Sequence, residues 1–111
     1  MTSDIELAAQ RIRQLVDLTK ALTARLAEET RAFEAQRPQD AAASLPKTQE
    51  LANLYRRDSA HVKANPALIA SAPAADKAAL LKATEAFETV LARHSRAVDA
   101  VSYTHLRAHE T

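Results

Sequence analysis

The chain has 111 residues with no Gly, Cys or Trp, and its 15 basic and 14 acidic residues leave a formal net charge of +1. That length bounds it to one domain. The missing cysteine and glycine exclude a disulfide framework, thiolate chemistry and the glycine loops that cradle nucleotides.

Acids and bases are interspersed rather than gathered, so the sequence offers no basic footprint for nucleic acid. A bias toward Ala, Glu, Arg, Leu and Lys, with few β-branched or aromatic residues, favours helix almost throughout. The expected fold class is all-α, an antiparallel helical hairpin or three-helix bundle with a long N-terminal coiled-coil-like helix. No apolar run reaches the ~20 residues a membrane span needs, so no membrane insertion is expected. The N-terminus, "MTSDIELAAQ", lacks the basic and apolar regions of a signal peptide, which points to a cytoplasmic location.

The first predicted helix runs from about Ser3 to Gln36. Ser3 can cap it, with Glu6 three residues later in a capping-box arrangement. Ile5, Ile12, Leu15, Leu22, Leu26 and Phe33 fall on alternating three- and four-residue spacings, and Ala8 and Thr19 complete the stripe. Such a seam needs partner helices along its whole length. The helix is expected to end at "QRPQD", where Pro38 disfavours helical geometry at Arg37.

The second helix is predicted from about Pro46 to Ala64, with Ser44 as cap and Pro46 in the first turn. "AAAS" can extend it backwards across Leu45. Its apolar face is Leu51, Leu54, Tyr55 and Val62, too short on these bounds to cover the first helix. "KANPALIASAP" then breaks the chain, and Leu68 and Ile69 are expected to form a short helical turn under the bundle end. The third long helix starts near Pro73 or Ala74, with Ser71 as cap and Asp76 in the first turn. Leu80, Thr84, Phe87, Leu91, His94 and Val98 make its stripe, widened by Leu81 and Val90.

Nothing stops that helix before "VSYTHLRAHET", whose His105 and His109 stand one turn apart with Glu110 beside the second. This spacing is a common start for a zinc site. The segment Val101–Thr111, however, resembles the in-frame translation of the adapter left by transposase-based library preparation. The adapter opens two bases earlier with CT, so the residue before Val101 must be Ser, Pro, Thr or Ala, and it is Ala100. The resemblance implies a native helical domain over residues 1–99, cut short, and a non-native tail over 100–111. The histidine pair then carries no metal chemistry.

The remaining polar candidates are sparse. His61 and His94 are single histidines on helices with no second convergent ligand, so neither a metal nor another cofactor is expected. Asp17 and Glu28 have basic residues within helical reach and suit a solvated face. Arg56 and Arg57, after Tyr55, form the one compact basic spot, with Asp58 alongside. An exposed helix face explains it better than an anion site. No residue set for nucleophilic or acid–base catalysis is present, and the expected class is a binding protein, not an enzyme, with no catalytic, cofactor or metal residues.

The heptad-like first helix, "ELANLYRRDSAHVKANPALIA" and "LLKATEAFETVLARHSRAVDAV" together resemble the alphaproteobacterial FlbY flagellar basal-body proteins. They are also similar to the wider FlgN type of flagellar export chaperone. The resemblance covers most of residues 5–99, with "LANLYR" and the "NPAL" stretch as its most distinctive words. It implies a small cytoplasmic flagellar assembly factor or chaperone that binds export substrates such as hook-associated subunits before export. In such chaperones the cargo-binding part is chiefly the C-terminal helix, so no cargo-contacting residue transfers to this chain. The other reading is a self-associating structural coiled-coil protein without cargo, and a homo-oligomer is compatible with either.

Overall fold

The computed structural model describes the backbone of residues 3–110 and the side chains of residues 3–100. Four helices follow in order: α1 (Asp4–Glu34), α2 (Pro38–Lys63), α3 (Pro66–Ser71) and α4 (Ala74–Glu110). They form an elongated bundle of 66 × 21 × 21 Å. The expected all-α class and the long first helix are both present.

α1 is the central helix, with α2 returning antiparallel along one side and α4 running parallel along another. Its buried residues Ala8, Ile12, Leu15, Thr19, Leu22, Leu26 and Glu29 keep the alternating spacing of a heptad seam. Ala9, Val16 and Thr30 widen the seam so that it serves two neighbours at once. On α2 the buried Ala41, Thr48 and Val62, with half-buried Tyr55, recur every seventh residue. Asp76, Ala83 and Ala97 do the same on α4, with Val90 half-buried between them. Two threonines survive within this packing because their hydroxyls donate to the preceding turn: Thr19 Oγ1 to the Leu15 carbonyl at 2.7 Å, Thr30 Oγ1 to that of Leu26 at 2.7 Å.

The continuous apolar core sits toward the N-terminal end of α1. Ala8, Ile12, Leu15 and Val16 pack there with Val62, Ala72 and Ala83, and Tyr55, Leu68, Ile69 and Leu80 close around them. The short α3 thus tucks Leu68 and Ile69 against the bundle, as the sequence suggests. Toward the other end the buried set turns polar, with Glu29, Thr30 and Thr48.

Five expectations need correction. α2 begins at Pro38, two turns before Pro46, because Pro38 suits the first helical position and Pro46 is exposed, where one lost hydrogen bond is tolerated. Ser44 is therefore no cap; its hydroxyl donates to the Ala41 carbonyl at 3.1 Å. Ser71 likewise donates to Ala67, and the α4 start is met by the Pro73 carbonyl, which accepts from Asp76 and Lys77. Ile5 is 58% exposed, since α4 begins opposite Arg13 and leaves the first turn of α1 without that neighbour. The longer α2, with α4, covers the rest of the α1 seam, so no long apolar strip of α1 is left over.

The connection from α1 to α2 needs one left-handed residue, and with no glycine in the chain Gln36 supplies it at φ 59°. Gln36 N–H donates to the Phe33 carbonyl at 3.0 Å and Arg37 N–H to that of Ala32 at 2.8 Å, a Schellman closure. A side chain at positive φ costs about 1–2 kcal/mol relative to the right-handed region. Gln36→Gly is expected to raise the urea midpoint, by up to ~1 kcal/mol in unfolding free energy. An unchanged or lower midpoint would contradict this account of the turn.

The far end of the α1–α4 pair is clamped by Arg93, whose Nε and Nη2 donate to Glu34 Oε2 and Oε1 at 2.9 and 2.8 Å. That hydrogen bonding, with the charges of Arg93 and Arg96, holds the Glu34 carboxyl below the usual glutamate range against the opposing effect of desolvation. A folded pKa below the unfolded one means stabilisation that is present above the unfolded value and lost as pH falls through the folded one. In Arg93→Met the Glu34 titration, followed by carboxyl NMR, should move upward; an unmoved titration would rule out Arg93 as the cause.

Candidate functional site

The sequence candidates do not converge. His61 is exposed on the last turn of α2, where its carbonyl accepts from Asn65 Nδ2 at 2.7 Å. His94 is half-buried on α4, its ring edge-on to Phe33 at 5.9 Å, and its Nε2 is buried without a hydrogen-bond partner. The two histidines thus occupy different helices and different environments. Among the described residues no group of three His, Cys, Asp or Glu is placed to hold a metal ion. The side chains of His105, His109 and Glu110 lie outside the described residues.

Arg56 and Arg57 are exposed, and Arg56 Nη2 donates to Asn53 Oδ1 one turn earlier on the same helix. The basic spot is therefore a solvated helix face with a local partner. Tyr55 turns the other way, packing its ring on Phe87 of α4 at 5.0 Å and 38°. Asp17 and Glu28 are exposed, and neither forms an ion pair among the described residues.

Three features were invisible to spacing alone. Arg13 Nε donates to Asp76 Oδ1 at 3.0 Å, tying α1 to the first turn of α4. An open groove between α1 and α4 is lined by Ala24, Ala27, Ala79 and Ala83, with Lys20 and Lys82 at its edges. Between α1 and α2, beside their connection, lies a cavity of about 380 Å³ whose lining includes Glu29, Arg37, Asp40 and Ser44. Glu29 is 3% exposed, and its Oε2 has no hydrogen-bond partner. Its place seven residues after Leu22, in register with Ala8 and Leu15, marks a seam position but does not say whether neighbouring helices cover it.

No helix among the described residues is long and apolar enough to cross a membrane. No protein-family model matches the chain, and no solved structure matches it significantly. The chain is similar to the "Flagellar basal-body protein FlbY" of Caulobacter vibrioides, with 48% identity over 93 residues. That alignment takes in 84% of this chain and 62% of the relative's length. With nearly half of the aligned positions shared across most of its length, the chain is FlbY-like.

Proposed function

We propose that this chain is a non-enzymatic flagellar assembly factor, a helical protein that binds export substrates of the hook-associated type in the cytoplasm. The observation that carries the reading is the 48% identity to a protein named for the flagellar basal body. The bundle is compatible with it, since exposed helix faces recognise helical partners. The described surface offers scattered apolar residues, Leu45, Leu81 and Leu91 among them, rather than one continuous strip. Residues 100–111 are part of the same proposal as a non-native tail, which sequencing the locus across codon 100 would test.

The functional experiment is genetic. Deleting the gene in its source organism should reduce secreted hook-associated subunits and motility, and the complete reading frame should restore both. Normal secretion and swimming in the deletion strain would overturn the assignment.

A further inference from the structure

We propose that the cavity between α1 and α2 is a docking site for a single arginine side chain of a partner protein, with Glu29 as its buried counter-ion. The proposal rests on the reading that the chain binds protein, but on no particular flagellar partner.

Glu29 occupies a seam position and is 3% exposed. A carboxylate removed from water is strongly unfavourable unless charge and hydrogen bonds are returned to it. This chain does not return them. Glu29 Oε2 has no partner, and among the described residues Glu29 forms no ion pair. Arg37 is close by in the cavity wall, but its guanidinium pairs with Asp40 at 3.7 Å instead. Replacing such a group by an apolar one usually stabilises a bundle, so its presence in the seam calls for a partner from outside.

The cavity gives access. It is about 380 Å³, and alongside Glu29 its wall carries the Glu28 and Asp40 carboxylates, the Ser44 hydroxyl and the side chains of Arg31 and Arg37. Ser44 donates to the Ala41 carbonyl, which leaves the lone pairs of its oxygen as acceptors. Three carboxylates against two guanidiniums leave the lining one negative charge in excess, and Arg37 is already engaged by Asp40, so the orphaned Glu29 carboxylate complements a group that only donates. Guanidinium does so in a planar fork that satisfies both carboxylate oxygens together. A metal ion fits less well, because no three ligating side chains among the described residues converge there.

The test is an NMR titration of the full chain with N-acetyl-arginine methylamide, and with the citrulline analogue, which has the same shape without the charge. Saturable shifts at the amides of Glu29, Ala41 and Ser44 are expected with the arginine derivative. The citrulline analogue, and the arginine derivative against Glu29→Gln, should bind at least ~10-fold more weakly. Equal responses to the two probes, or none, would overturn the site. A thermal melt supplies the second arm: Glu29→Gln should melt no lower than the parent, since no internal partner is lost. A lower melting temperature would show that Glu29 is already completed within the chain, which also overturns the proposal. No flagellar subunit enters either arm, so the site and the flagellar assignment fail separately.

Discussion

Replacing Ile12 with alanine should lower the unfolding free energy by about 2–5 kcal/mol, the range for deleting a large side chain from a packed core. Ile12 is 0% exposed and lies in the cluster where α1, α2 and α4 and the segment after α3 all meet. Small domains hold only ~5–15 kcal/mol in total, so the variant should show a markedly lower urea midpoint with little change in slope. Ile5→Ala is the matched control on the same helix: with its side chain 58% exposed, the cost should stay within about 0.5 kcal/mol. Similar losses at the two positions would contradict the placement of the core.

Ala83→Leu tests packing in the opposite direction. Ala83 is 5% exposed on the α4 face toward α1, beside a groove whose other small residues include Ala24, Ala27 and Ala79. Small side chains there let the two helices approach closely, and a leucine must displace one of them. Overpacking of this kind costs about 1–3 kcal/mol. Ala86→Leu, one turn along on the exposed rim, should be tolerated within about 0.5 kcal/mol. If Ala83→Leu stabilised the protein, the open groove between α1 and α4 would have room for the larger side chain, and the close approach of the helices at Ala83 would be contradicted.

The sequence made the helices legible because their apolar residues repeat at the spacing that a helix face imposes. Ile12, Leu15, Leu22 and Leu26 stand on the seam where periodicity puts them, and Leu68 and Ile69 cap the bundle from the short helix expected there. Boundaries were harder. Pro46 looks like a helix start, yet it lies inside α2, because an exposed proline can be absorbed once the helix is packed on both sides of it. The Schellman turn at Gln36 was hidden for the opposite reason: the residue that normally announces it, glycine, is absent from the chain.

Candidate sites followed the same division. His61 and His94 stand on different helices in different environments, and Arg56 pairs locally with Asn53, whereas a site requires side chains from several helices. Glu29 was missed because a single acid in a helical stripe is indistinguishable from a surface residue until the neighbouring helices are in place. Ala41, buried on α2 in the same cavity wall, is the neighbour that gives it meaning. The pairing of Arg13 with Asp76 was beyond reach on the same ground, as 63 residues separate them in sequence.

The role proposed for this FlbY-like bundle is binding of flagellar export substrates. Size-exclusion chromatography with light scattering tests it most directly, using the full-length protein from the same source with and without purified hook-associated subunits. A new, stoichiometric complex whose mass is the sum of protein and subunit is expected. A stable homodimer whose mass is unchanged by the subunits would contradict it and leave a self-associating structural coiled coil in its place.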